Sequence, residues 1–442
     1  MQDWINWFKA EIAELDYNNF YNTIYLILIS LIIILFCHCF LVKEQIADDP
    51  TNSLSYIGII LGDISIIIGM IGLLFALYSI QSSTKKLREM QVDYWNARGI
   101  DDSHKGGELL EQREYDKGNL AYKNAIDAFN KADKLDPLYA KSWSNRGNAL
   151  IALRKYDEAI EAFHHALELD SQSPRTRANY GHALYAKGKA CKEKGEFLDA
   201  HINHNLAIEA FCIAIGQNPR LSFAWNGMGA ALKDRGDVFK CQYNAERSGP
   251  YRSYANIMYE GAIKCYRNAI ELDPNFGSFW HNLGFALNEK GNFDEAIQAY
   301  NKAIAFDPKN SEIWFGKGET LKNQRKYNEA IHAYNKAIEF KPMHSAVWNQ
   351  RGNVLVDQAK DMIQENVGHT WLITNDPIFL QINYNYSEAL KSYDMAIDIN
   401  PIEGMFWANK SNVLRSLGRT DEANAAVTRA RDLGYTANLS YD

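Results

Sequence analysis

Paired cysteines are missing from this chain. Its 442 residues hold six cysteines, none in a C-x-x-C spacing, which argues against a disulfide framework or a zinc site and fits a reducing compartment. Cys37-His38-Cys39 is no metal triplet, because consecutive helix residues point in directions about 100° apart. His201 and His204 stand three apart on a helix, with His182 or Cys191 as further candidates, but no clear third ligand completes a metal site. Also absent are G-x-x-x-x-G-K-[ST], G-x-S-x-G and H-E-x-x-H, which removes the commonest nucleotide, esterase and zinc-protease signatures. No catalytic group, cofactor or metal is indicated, so the chain is not read as an enzyme. A net charge of −7 with no basic run of useful length argues against nucleic acid as a partner.

What the chain does hold is one pattern written many times. Gly277–Asn310 and Ser311–His344 superimpose over 34 residues: Trp280 on Trp314, Gly284 on Gly318, Leu287 on Leu321, Ala296 on Ala330, Tyr300 on Tyr334, Ala303 on Ala337 and Pro308 on Pro342. Trp280 and Leu287 lie on one face of a first helix and are expected to wedge toward a second. Gly284 lies where a side chain would hold the two helices apart, and Ala296 does the same from the second helix. Gly291 suits a left-handed helix end, and Pro308 stops the second helix. This period with these residue types resembles the tetratricopeptide repeat, TPR, a helix–turn–helix unit.

The same marks run along the whole soluble part. They give eight expected repeats at 92–139, 140–173, 174–221, 222–276, 277–310, 311–344, 345–403 and 404–437, within a TPR domain of 92–437 that leaves a tail at 438–442. The last repeat has Ser411 for the glycine and Val427 for the aromatic, which suits an end cap. The resemblance implies an all-α, right-handed TPR solenoid. Four repeats are longer than the pattern between glycine and alanine, by 14, 14, 21 and 25 residues in the first, third, fourth and seventh. In the third, the turn glycine moves by seven, from the spacing Gly284–Gly291 to Gly181–Gly195. Seven residues are about two helical turns, so each helix is lengthened without changing which side faces inward. All four extensions sit at the turn between the first and second helix, an edge often used for binding in solenoids.

The chain begins differently. An acidic lead at 1–22 puts Trp4, Ile5, Phe8, Ile12 and Leu15 on one helical face and reads as an interfacial helix. Residues 23–42 and 56–80 are long and apolar enough to span a bilayer, which predicts a two-helix transmembrane hairpin. A short loop at 43–55 joins the spans, and a helical linker at 81–91 follows them. The first span is not read as a signal peptide, because it is long and no small-residue cleavage site follows. Lys85, Lys86 and Arg88 outweigh Lys43 in the loop and Lys9 in the lead, which places both termini in the cytoplasm and the loop outside the cell membrane. Gly58, Gly62, Ser65, Gly69, Gly72, Ala76 and Ser79 form a seam of small residues at heptad spacing. Such a seam packs either against the first span or against a second copy, giving a homo-oligomer. Asp63 and His38, ionisable groups inside the spans, are expected either to pair or to snorkel to the outer headgroups.

Candidate binding residues follow from the resemblance. TPR arrays bind peptides or helices along a concave face made by their first helices. Two residues before each glycine stand Asn145, Asn179, Asn282, Gln350 and Asn409, interrupted by Ala97, Gly227 and Gly316; Asn148, His182, Asn353 and Asn412 come next on that face. Side-chain amides bond both N–H and C=O, so a row of them reads a chain rather than its sequence, as in the asparagine ladder of O-linked N-acetylglucosamine transferases. The carboxylate clamp of chaperone-binding TPR domains is absent. The seventh repeat's insertion carries Trp371, Ile378 and Phe379 around Asn375-Asp376-Pro377, either folded back on its scaffold or exposed as a partner-binding tip. The function expected is a membrane-anchored scaffold for a protein or peptide partner. Alternatives are a regulatory subunit relaying anchor oligomerisation to the repeats, and an enzyme with its site in the inserted hairpins.

Overall fold

The computed structural model describes residues 40, 43–44, 53–246, 250–366 and 376–435. Outside them lie the lead at 1–22, almost all of the first span and loop, His38, Trp371 and the 438–442 tail; the side chain of Asp63 is likewise outside the description. The described residues are helical, with no strand among them.

Helix α1 (Ser53–Glu111) runs unbroken for 59 residues, about 88 Å at 1.5 Å per residue. It takes in 56–80, the 81–91 linker and the first helix of the first repeat. Antiparallel pairs follow: α2 (Tyr115–Leu135) closes the first repeat, then α3 (Ala140–Ala152) with α4 (Tyr156–Leu169), and α5 (Pro174–Glu193) with α6 (Phe197–Gln217). Next come α7 (Ser222–Glu246) with α8 (Tyr251–Leu272), α9 (Gly277–Lys290) with α10 (Phe293–Phe306), and α11 (Ser311–Asn323) with α12 (Tyr327–Phe340). The last pairs are α13 (Ser345–Glu365) with α14 (Pro377–Ile399) and α15 (Gly404–Ser416) with α16 (Thr420–Asp432).

The chain divides into two compact units, residues 1–98 with 131–137, and 99–130 with 138–442. In the first, Leu74 and Val92 are buried, the Arg88 guanidinium donates to the Leu135 carbonyl, and the Lys131 ammonium lies 4.0 Å from the centre of the Trp95 ring. In the second, every hairpin but the last closes on one contact. The second-helix aromatics Phe129, Phe163, Phe211, Tyr266, Tyr300, Tyr334 and Tyr393 are at most 2% exposed. Each ring lies against the glycine of its partner helix, at Gly99, Gly147, Gly181, Gly229, Gly284, Gly318 and Gly352, where a Cβ would come within 2.5 to 3.1 Å of it. The glycine is thus required by close approach to an aromatic ring.

The tryptophans do something the pattern did not suggest. Trp280 is only half-buried at the margin of the core, while Leu287 is 1% exposed within it. The indole N–H of Trp225, Trp280, Trp314 and Trp348 donates to the carbonyl of the proline six residues before it, at 2.9 Å each, and Trp407 does so to Pro401 at 3.2 Å. Tryptophan and proline therefore act together, locking the bend between repeats by a bond to a carbonyl that no helix satisfies.

The turns inside the hairpins lie a fixed distance from the glycine. Arg154, Gly291, Arg325 and Gly418 follow Gly147, Gly284, Gly318 and Ser411 by seven and have φ of 60°, 89°, 60° and 73°. In the first and third repeats, Arg113 and Gly195 (φ 64° and 80°) follow Gly99 and Gly181 by 14. The extension is one heptad per helix.

Candidate partner-binding face

Within the second unit, the first helices of successive repeats, α3, α5, α7, α9, α11, α13 and α15, touch one another in series. The second helices make no comparable contact among the described residues. First helices therefore sit closer together, and their outward residues form one continuous strip.

The predicted amides on that strip divide into two groups. Toward the C-terminal end they are spent on one another. The Asn282 side chain donates to Asn226 at 2.9 Å, and Asn409 donates to Asn349 at 2.9 Å and to Asn353 at 3.3 Å. Asn353 donates to Gln350 at 2.8 Å and accepts the Tyr393 hydroxyl at 2.8 Å. Gln350 also accepts from Lys322 at 3.4 Å and donates to Glu319 at 3.5 Å. The bonds of Asn282 to Asn226, of Asn409 to Asn349 and Asn353, and of Gln350 to Lys322 and Glu319 clasp neighbouring repeats. At the N-terminal end the groups are uncommitted: Asn148 is exposed, Asn179 and His182 are half-buried, and none makes a side-chain hydrogen bond among the described residues. Asn412 is exposed and likewise unbonded through its side chain, and Asn145 is half-buried. The His182 ring stands between Phe211 and Phe223, at centroid distances of 4.9 and 6.3 Å. Burial lowers its pKa to about 4, so at neutral pH it is an uncharged donor–acceptor.

Gly227 and Gly316, which interrupt the amide row, have a packing cause. A Cβ at either would come within 2.5 Å of Phe211 or 2.7 Å of Tyr300, the aromatic of the preceding repeat.

Sequence reasoning missed a buried ionic network where the elongated third and fourth repeats meet. Asp234, 2% exposed, accepts from the Tyr185 hydroxyl at 2.7 Å and from Lys192 at 2.5 Å, and pairs with Lys233 at 3.0 Å. Asp237 accepts from Tyr259 at 2.9 Å and lies 3.3 Å from Lys233. Burial alone would raise the Asp234 pKa, but Lys233, Lys192 and the Tyr185 hydroxyl outweigh it and hold the carboxyl well below the usual range. At Asp237 burial prevails and the pKa is raised. The only signature in the sequence was Lys233-Asp234 followed one turn later by Asp237. His201, weighed as a metal ligand, lies 3.2 Å from Gln242. His204 is fully buried against Gly188, and burial lowers its pKa to about 4 despite Asp234 nearby.

At the seventh repeat's insertion, the Asp376 carboxylate accepts from the N–H groups of Ile378 and Phe379 at 2.7 and 3.3 Å, with Pro377 opening α14. Ile378 packs on the cluster of Leu355, Ile382 and Tyr386, so this end of the insertion folds onto its own scaffold; Phe379 is half-buried and Leu380 exposed. In α1, no described atom lies within 4 Å of where a Cβ would stand on Gly58, Gly62, Gly69 or Gly72.

Stacked helical hairpins with a continuous strip of first helices define an α-solenoid scaffold for protein–protein interaction. Residues 140–173 and 311–344 match the tetratricopeptide repeat, and 258–291 and 286–325 match a TPR repeat; the chain contains tetratricopeptide repeats. No curated protein matches the sequence. Among solved structures, a thermophilic TPR protein of Thermus thermophilus is similar at 19% identity and a TM-score of 0.36, over 49% of this chain and 98% of its own. YrrB, a TPR protein with an unusual peptide-binding site, gives 20% and 0.33, over 50% and 96%. MamA gives 18% and 0.33, over 42% and 95%.

Proposed function

We propose that the protein is a membrane-anchored scaffold that holds an extended segment of a partner protein along its first-helix strip. The reading end lies at the second and third repeats. The observation that carries this is the unspent set Asn148, Asn179 and His182, polar groups on the strip with no intramolecular bond among the described residues. Farther along, the clasped amides of Asn282, Gln350, Asn353 and Asn409 hold the repeats in register, and Asn145 and Asn412 border the strip. Trp371 and Phe379 belong to a second contact on the inserted edge, beside Ile378, which is packed on its own scaffold. A photocrosslinking amino acid at position 179 in the full-length protein in cells should give one discrete adduct, lost on His182→Ala. Equal capture from position 179 and from the second-helix position Lys302 would overturn the reading.

The anchor is the hairpin of spans 23–42 and 56–80 in the cell membrane, with both termini cytoplasmic. Supporting it, α1 holds the one helix among the described residues that is long and apolar enough to cross a bilayer, with mean hydropathy of 2.4. Its Leu61, Ile66, Ile68, Leu73 and Phe75 are each 58% exposed or more, which in water would be a large unpartnered apolar surface. Full-length protein should stay with membranes on alkaline carbonate extraction, and release into the supernatant would remove the anchor. A second reading is favoured by the unbroken α1: helix pairing through Gly58, Gly62, Gly69 and Gly72 makes a dimer whose state is relayed to the repeats. Disulfide cross-linking of a Ser79→Cys variant in membranes tests it.

A further inference from the structure

We infer that the step between the long fourth repeat and the short fifth is a second binding site, which takes a carboxylate of an acidic partner segment. The 21-residue extension of the fourth repeat carries α7 and α8 past the turn at Gly291 and leaves a cavity of about 430 Å³ beside it. Lys240, Arg252, Lys290, Asn256, Asn288 and Asn323 line it. Lys240, Arg252 and Asn256 stand on inserted turns, so the cavity exists only because this hairpin is long.

The charges are unequal. Lys240 pairs with Glu289 at 2.5 Å, and Lys290 pairs with Glu260 at the rim. Arg252 is exposed and makes no ion pair among the described residues. Among the described residues the surplus is one guanidinium, whose fork matches a carboxylate. A phosphate dianion would meet Glu289 and Glu260 with too few cations, whereas a single carboxylate balances the site. The amides add donors and acceptors for the adjoining peptide backbone: Asn323 donates to Asn288 at 3.1 Å, leaving capacity on both. This site is separate from the first-helix strip at Asn179 and His182.

The test is fluorescence anisotropy of a fluorescein-labelled tetraglutamate peptide with the full chain in detergent. Wild type should bind tetraglutamate and not tetraglutamine. Arg252→Gln should weaken binding at least about fivefold, while Glu289→Gln, which frees Lys240, should tighten it. Arg220→Gln, an exposed cation elsewhere, should bind as wild type with an unchanged helical circular dichroism spectrum. Equal binding of the two peptides, no effect of Arg252→Gln, or stronger competition by inorganic phosphate than by acetate at equal concentration would each overturn the assignment.

Discussion

The glycine opposite each aromatic is the residue on which a repeat closes. At Gly318 a Cβ would stand 2.7 Å from the Tyr334 ring, which is fully buried and held by its hydroxyl to Glu319, so it cannot retreat. Gly318→Ala should destabilise the full chain by about 1–3 kcal/mol, read as a lower urea midpoint. Trp314→Phe keeps the bulk but loses the bond to Pro308 and should cost about 1 kcal/mol. A second residue-scale effect comes from acid. His204 has its folded pKa lowered to about 4, against about 6.5 unfolded. The unfolded state therefore takes up the proton first, and stability is full above pH 6.5 and lost as pH falls toward 4, on the order of 3 kcal/mol in all. A His204→Leu variant should flatten the urea midpoint against pH over that window. An unchanged slope would mean the titration lies elsewhere.

At the scale of the hairpin, the extensions of the first and third repeats are one heptad per helix, and the heptad is what preserves the faces. In the third repeat, Gly181 and Gly195 are separated by twice the distance of Gly284 and Gly291, and the structure places a left-handed turn at both Gly195 and Gly291. Removing seven residues from α5 together with seven from α6 should leave a folded, helical protein. Removing three from α6 alone turns everything N-terminal to the cut by about 300° relative to the core face, and should abolish cooperative unfolding. Circular dichroism during urea titration distinguishes the two. This periodicity was legible because a glycine and an aromatic recur at fixed offsets. The clasp of Asn282 with Asn226, or of Asn409 with Asn349, was not, because it links side chains 56 and 60 residues apart. No local spacing encodes whether two amides satisfy each other or a ligand.

For the molecule as a whole, a solenoid is stabilised by each repeat and its neighbours. The Asp234 network joins the two elongated hairpins, with Tyr185 and Lys192 from the third repeat and Tyr259 from the fourth. Asp234→Ala leaves Lys192 and Lys233 without their closest buried carboxylate and should cost about 3–5 kcal/mol. Hydrogen exchange should rise in α5 to α8 while α11 and α12 keep their protection; uniform loss would instead indicate a single cooperative block.

The 34-residue period by itself determined the helical hairpins and their close-packed glycines, because these depend on contacts within one unit. The same local character made the long apolar stretch at 56–80 and the left-handed turn at Gly291 readable. Only the tertiary structure decided which polar groups stay available. Asn282 and Asn179 occupy the same repeat position, yet Asn282 meets Asn226 across the interface while Asn179 meets no such partner among the described residues. It likewise decided that Lys240 and Lys290 share their charge with a carboxylate while Arg252 meets none among the described residues. Availability depends on what the neighbouring repeat brings within hydrogen-bond reach, and that is fixed by stacking.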